Sequence, residues 1–168
     1  DTSEAKLYIN HTLFNRTGDR LYFFLRGRRE KQSIWLNVPC SIKTDGTEFV
    51  VHQTSVGGHP GWGRGDTIIG ARDGHQVVYD VVKQRVLPES ALVTPEIFPV
   101  PEGVVSLSPD GEWVVNGYSS EDRQTITYVV MRLADGVFAR SQPFDRGPYT
   151  KGNLRTDPAP RWNRSSNA

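Results

Sequence analysis

One phrase, repeated with variation, constrains the fold of this chain more than any other feature. It reads HTLFNRTGD from His11, HPGWGRGD from His59, VVSLSPDG from Val104 and APRWNRSS from Ala159. Each copy places an aromatic or large apolar anchor residue directly before a polar turn, and these anchors are Phe14, Trp62, Leu107 and Trp162. The anchors recur every 45 to 55 residues. A chain built on such a period is expected to consist of repeated structural units, with the four anchors buried at equivalent positions between sheets.

The segments between anchors indicate what each unit contains. Each period holds about four short stretches rich in β-branched and aromatic residues, separated by Gly, Asp and Pro. A period of this length with four short strands is typical of β-propeller blades. No stretch shows a sustained helical period of apolar residues, so little helix is expected. We therefore predict an all-β fold, a β-propeller fragment with three four-stranded antiparallel blades at about 6–53, 57–100 and 103–145, and the first strand of a fourth at 158–168.

The number of repeats predicts that this sequence is part of a larger assembly. Closed propellers have roughly four to eight blades, which is more than the three that this sequence supplies. The last repeat ends inside its turn, and an unpaired inner strand would leave backbone groups unsatisfied. We expect the missing blades of the same propeller to be its main partners, supplied by the same chain or by others.

Composition narrows the classes of function. The net charge is +1, which gives no electrostatic reason to expect nucleic acid as a partner. No apolar run approaches the roughly 18 residues that a membrane span needs, so no membrane span is predicted. Cys40 is the single cysteine and excludes an internal disulfide.

Two histidines share one place in the repeat and are candidate ligand-binding residues. His11 and His59 each lie three residues before an anchor. The first strand of a propeller blade lines the central channel, so imidazoles from neighbouring blades could converge on one ligand or metal ion. Alternatively, each histidine enters a turn and hydrogen-bonds the adjacent blade. Because Val104 and Ala159 occupy the same place in the other repeats, a ring of histidines is not expected.

A polar stretch before the last anchor gives three further candidates, Arg155, Asp157 and Arg161. Arginine can bind a carboxylate or phosphate through two parallel hydrogen bonds. Alternatively, an Arg–Asp pair fastens this loop to the next blade. The motifs of serine hydrolases, zinc proteases and phosphate-binding loops are absent, so no catalytic residue is assigned.

Four phrases carry a family resemblance: NHTLFN, GHPGW, SPDGEWVVNGY and DPAPRW. They resemble the seven-bladed oligogalacturonate lyase-like propellers and, more loosely, the Tol-type propeller repeats of bacterial periplasmic proteins. The resemblance implies a periplasmic or secreted protein. It also implies a Mn²⁺-dependent lyase that cleaves uronate chains by β-elimination, with metal-binding His and Gln residues on inner strands. In that setting His11 looks like a channel-facing histidine and His59 like a candidate base.

The sequence departs from that family at the metal-binding positions. Val104 stands where the family has a histidine, and Ala159 lies in a DPAP run where the family has His-Pro-His-Pro. Asp157 could still bind a hard cation, whereas alanine cannot. The favoured expectation is a propeller whose channel mouth binds a ligand such as an acidic oligosaccharide. The alternatives are a lyase whose metal ligands come from other blades, and a Tol-type propeller that binds proteins through its rim.

Overall fold

The chain folds into three antiparallel β-sheets. The computed structural model describes residues 5–29, 34–88, 96–101 and 103–165. These residues form thirteen strands and one short 3-10 turn at Gly152–Leu154, and they contain no α-helix. No helix in this part of the chain could therefore cross a membrane. The predicted all-β class with three antiparallel sheets is confirmed, and the described sheets do not close into a ring.

Each sheet follows the order of its strands along the chain. The first sheet contains β1 (Ala5–Phe14), β2 (Arg20–Arg29), β3 (Ile34–Lys43) and β4 (Val50–Val51). The second contains β5 (Gly57–Trp62), β6 (Thr67–Arg72), β7 (His75–Asp80) and β8 (Arg85–Val86). The third contains β9 (Ser106–Leu107), β10 (Trp113–Ser119), β11 (Thr125–Arg132) and β12 (Phe138–Arg140). A fifth strand of this sheet, β13 (Phe144–Asp145), also pairs with β11.

The first strands of the three sheets lie side by side. His59 forms a parallel bridge with Val104. The second and third repeats therefore meet at residues that each lie three positions before an anchor. One apolar core fills the space between the first and second sheets and includes Tyr22, Phe24, Trp62, Ile68 and Tyr79. A second core lies between the second and third sheets and includes Ile69, Phe98, Leu107, Val129 and Met131. The sheets therefore stack face to face around their first strands.

Two anchor tryptophans make the same hydrogen bond in different repeats. The Trp62 indole N–H donates to the carbonyl oxygen of Leu13 at 2.9 Å, and the Trp162 indole N–H donates to that of Ser106 at 3.0 Å. Leu13 and Ser106 each directly precede an anchor, so the bonds are equivalent across the repeats. Anchor burial is less regular. Trp62 is 8% exposed, but Phe14 is 62% exposed, and its predicted burial is wrong.

Phe14 is exposed because of the side of the first sheet on which it lies. Leu7 and Ile9 on the same strand are likewise more than half exposed. No other described sheet packs on these residues, whereas Trp62 has the first sheet beside it. An anchor is thus buried by the repeat that precedes it.

The Trp62 hydrogen bond predicts a measurable loss of stability. The substitution Trp62→Phe keeps a buried ring but removes the N–H, leaving the Leu13 carbonyl without its donor. We expect the free energy of unfolding to fall by about 1–2 kcal/mol, measured by denaturant titration. Trp162→Phe removes the equivalent bond at a half-buried site and should cost less. Equal losses in the two variants would contradict this prediction.

The fourth repeat does not form its expected strand. Over the described residues 158–165 of the predicted 158–168 segment, the chain has no strand pairing. Pro158 and Pro160 are two residues apart, and both lack the backbone N–H that strand pairing requires. Pro158 packs instead over Gly117, where an added Cβ would lie 2.8 Å from the proline Cβ. In the second repeat, β8 is the fourth strand of the sheet, and residues 89–95 lie outside the described part of the chain.

Two arginines in the turns that follow the anchors form hydrogen bonds between repeats. Arg16 and Arg64 are each the second residue after an anchor. Arg64 donates through Nε to the carbonyl of Gly111, 2.9 Å away in the third repeat. Arg16 reaches past the second repeat and donates to the carbonyls of Ser108, at 2.6 Å, and Pro109. The turns of the first and third repeats are therefore in direct contact.

Candidate functional site at the mouth end

The end of the sheets at which the first strands begin, here called the mouth end, holds the two predicted histidines. The first strands of the first and second sheets are each interrupted there by a bulge. The β1–β2 pairing shifts between Asn10 and Leu13, and the β5–β6 pairing shifts between Gly57 and Gly61. His11 has a φ of +52°, and the Asn10 side-chain oxygen accepts its backbone N–H at 2.7 Å. Bulges of this kind redirect side chains out of the regular alternation.

The structure brings His11 and His59 together from neighbouring sheets. Their ring centroids are 5.1 Å apart, and the His11 ring also meets Phe24 edge-on at 6.1 Å. Burial lowers the pKa of His11 below its usual 6.5, and the nearby His59 and Arg26 lower that pKa further. His11 is half-buried and His59 is exposed. The pair has the arrangement expected from the repeat, and its role in binding stays a prediction.

A cleft of about 440 Å³ opens beside His59, and its other lining residues belong to the third sheet and to the loops next to it. Two other predicted residues, Arg155 and Asp157, also line it. The Arg155 guanidinium donates to the Asp157 carboxylate at 2.7 Å, and both side chains are close to half exposed. An Arg–Asp contact is therefore present, but it joins two residues of one loop and does not fasten that loop to another blade, and the pair faces the cleft. An exposed pair of this kind contributes only about 0–1 kcal/mol, so an incoming anion can compete for the arginine.

Arg146 is a residue of the cleft that sequence reasoning missed. It is 6% exposed and donates to the carbonyls of Arg123 at 3.0 Å, Tyr149 at 3.2 Å and Thr156. One cation thus fastens the β10–β11 turn, the loop after β13 and the segment that leads to Asp157. Its Nε–H has no hydrogen-bond partner among the described residues. No local pattern marked Arg146, because its importance comes from segments distant in the sequence.

The cleft carries an excess of positive groups. Arg123, Arg146 and Arg155 line it together with His59, and Glu121 and Asp157 are its acidic residues. Within the described residues, Arg123 forms no ion pair, whereas Asp157 is already bound by Arg155. Such a balance favours an anionic ligand.

Arg161 lies apart from the residues that line this cleft. Its side chain is exposed, and Nη1 donates to the carbonyl of Pro160 at 2.9 Å. The predicted role of Arg161 in ligand binding stays a prediction.

The residues at the mouth do not fit the Mn²⁺ site that the resemblance implies. His11 and His59 supply two nitrogens, and Val104, which is bridged to His59, supplies none. Asp157 is occupied by Arg155. Among the described residues, no group of three or more His, Cys, Asp or Glu side chains could hold a metal ion. Mn²⁺ prefers several oxygen and nitrogen ligands, more than the described residues supply at the mouth end.

Another histidine, His52, is buried away from the cleft between the first and second sheets. It is 3% exposed, with Nδ1 2.9 Å from the Tyr79 hydroxyl and Nε2 2.9 Å from the Ser41 hydroxyl. Burial lowers the pKa of His52 to about 4, and the Arg20 cation contributes in the same direction. Ser41 is fully buried, so this Ser–His contact cannot meet a substrate and is structural.

Comparison with models of known protein families and with the sequences of curated proteins gave no match. The candidate site therefore rests on the geometry of this chain. Its defining features are a pair of adjacent histidine rings and an adjoining cleft lined by arginines.

Proposed function

We propose that this chain is part of a β-propeller whose mouth-end cleft binds a carboxylate-bearing ligand, with an acidic oligosaccharide as the expected type. Support for the propeller comes from the adjacent first strands and the equivalent tryptophan hydrogen bonds. The observation that carries the ligand class is the cleft in which Arg123 and Arg155 adjoin His59.

The cleft residues suit different parts of an acidic sugar. Arg155 presents a planar set of donors that matches a carboxylate, and Asp157 holds it in place. Arg123, which also lines the cleft, can add a second charge-assisted contact. His59, together with the serines of the β10–β11 turn, can donate to or accept from sugar hydroxyls. The proposal is limited to binding, since the residues present do not supply the donor set for Mn²⁺-dependent elimination.

Calorimetric titration with galacturonate and with neutral galactose tests this function. Wild-type protein should bind galacturonate and show much weaker binding of galactose. Arg155→Gln should weaken galacturonate binding about tenfold, because a charge-assisted hydrogen bond contributes about 1.5–3 kcal/mol. The control Arg85→Gln makes the same change of charge on an exposed residue of β8 and should leave the affinity unchanged. Equal affinity for the two sugars would contradict the proposal.

A further inference from the structure

One segment joins the third repeat to the fourth and carries part of the cleft. It comprises residues 146–162 and is called the strap below. The strap leaves the third sheet after β13, turns once at Gly152–Leu154 and reaches the last anchor, Trp162. Arg155 and Asp157 line the cleft from the strap. This part of the cleft wall therefore belongs to none of the three sheets.

The middle of the strap has little packing of its own to hold it. None of residues 147–157 is buried, and only Thr150 among them is half-buried. Even the large side chains of Tyr149 and Leu154 are 48% and 74% exposed. Such a segment buries too little apolar surface to offset the conformational entropy that its ordering costs. The position of the strap therefore depends on the points at which it is attached to the third sheet.

Arg146 is the first of these attachments. Its backbone N–H donates to the carbonyl of Gln124 at 2.9 Å, and its guanidinium donates to the carbonyl of Arg123 at 3.0 Å. Both acceptors belong to the turn between β10 and β11. The side chain is buried, and within the described residues no carboxylate pairs with it. A buried cation is costly without acceptors, so this guanidinium and its carbonyl partners hold each other in place.

The same guanidinium reaches back to the strap. It donates to the carbonyl of Tyr149 at 3.2 Å and to that of Thr156. Thr156 stands between Arg155 and Asp157, the two strap residues that line the cleft. One buried side chain thus fixes the backbone from which both of them extend.

The fourth repeat provides the second attachment. Pro158 is buried and packs over Gly117 of β10, where an added Cβ would lie 2.8 Å from the proline Cβ. The Trp162 indole N–H donates to the carbonyl of Ser106 on β9 at 3.0 Å. The far end of the strap is therefore held by the docking of the fourth repeat on the third sheet.

We infer that the strap couples the cleft to the docking of the fourth repeat, with Arg146 and Trp162 as positioning residues that place Arg155 and Asp157 for the ligand. This inference rests on the proposed function and adds to it a means of regulating the same site. An anion held by both Arg155 and Arg123 would join the strap to the third sheet. Ligand binding and docking of the fourth repeat must then strengthen each other by the same factor.

The affinity for galacturonate, measured by calorimetry, tests the coupling. Trp162→Ala removes the far attachment and should weaken binding about tenfold, because the apparent affinity falls with the fraction of molecules in which the strap is docked. Arg146→Lys keeps the charge but loses the planar set of donors, and it should also weaken binding about tenfold. The control Trp62→Phe removes the equivalent hydrogen bond between the first and second sheets. It lowers the stability of the protein and should leave the affinity unchanged.

A double-mutant cycle separates positioning from an independent effect. Arg155→Gln should weaken binding about tenfold in wild type but less than about threefold in the Arg146→Lys background, because Arg155 is already displaced there. Independent sites would give two full and additive losses.

Hydrogen exchange gives a readout that needs no ligand. The backbone N–H of Thr156 donates to the carbonyl of Tyr149 at 3.1 Å within the strap. In Arg146→Lys this amide should exchange faster, whereas the amides of β10 and β11 should keep their wild-type protection. Galacturonate should slow the exchange of the Thr156 amide in wild type.

The outcomes distinguish the coupling from the proposed function. Wild-type affinity in both strap variants, or an equal loss in Trp62→Phe, would overturn the coupling and leave the cleft as the ligand site. Faster exchange throughout the third sheet in both strap variants would also overturn it, since the two residues would then be structural only. Failure of wild type to prefer galacturonate over galactose would overturn the proposed function, and the coupling with it.

Discussion

Lowering the pH from 6.5 to 4 should destabilise this protein by about 3 kcal/mol through His52 alone. The ring is buried, and both its nitrogens lie against hydroxyl groups, of Tyr79 and Ser41. Arg20, itself buried and paired with Glu48 at 2.6 Å, adds a positive charge nearby. Protonation would thus place a second cation in a core that also contains Tyr22, whose hydroxyl has no partner among the described residues.

The sign of the effect follows from the lowered pKa of His52. In the unfolded chain the ring binds a proton below about 6.5, whereas in the folded protein it stays neutral down to about 4. The unfolded state therefore gains protons first as the pH falls, and stability decreases across that interval and then levels off. Over this interval the free energy of unfolding falls by about 3 kcal/mol.

Urea titrations of wild type and His52→Gln at pH 7, 5.5 and 4.5 measure this effect. The variant cannot titrate at this position, so its stability should fall less than that of wild type. The difference between the two curves isolates His52 from His11, whose pKa is also lowered. His75→Gln, at an exposed histidine, should reproduce the wild-type dependence. Parallel curves for wild type and His52→Gln would show that this residue does not control the acid response.

Replacing Gly61 by alanine should cost about 2–4 kcal/mol of stability, within the range of strongly overpacked sites. A Cβ at this position would lie 2.6 Å from the carbonyl oxygen of Val105 and 3.5 Å from its Cγ1. Backbone atoms cannot move aside as a flexible side chain can, so the second and third sheets would have to separate locally. His59 and Val104, which bridge those sheets, lie within two residues of the clash.

Gly57→Ala is the matched control on the same strand. A Cβ there would meet only the Ala71 carbonyl oxygen at 3.6 Å, an ordinary contact. Thermal unfolding should show a clearly lower midpoint for Gly61→Ala than for Gly57→Ala. Galacturonate binding should weaken in the first variant and persist in the second. Similar midpoints would mean that the first strands can separate at little cost.

The sequence predicted those features that depend on the repeat register. The juxtaposition of His59 and Val104 and the equivalent roles of Trp62 and Trp162 follow from one shared phrase. The register also indicates that His11 and His59 should be neighbours. Such features depend on a few adjacent residues, so a pattern can reveal them.

Other features depend on contacts between segments that no local pattern joins. Arg146 is buried because three loops meet around it, and the charge of Arg26 on the neighbouring strand β2 helps to lower the pKa of His11. The exposure of Phe14 depends on which sheet packs beside it. The spacing of Pro158 and Pro160 argues against strand pairing from 158 onward, whereas the likeness to the earlier repeats predicts a strand there.

The contact of Arg16 with the third repeat has a consequence for how the protein loses its structure. In an open row of repeats, each unit touches only its neighbours, so the end units can unfold independently of one another. Arg16 donates to carbonyls 92 and 93 positions away, beyond the whole second repeat. Loss of the first sheet therefore removes bonds from the third. The three repeats should melt as one cooperative unit and not fray from the ends.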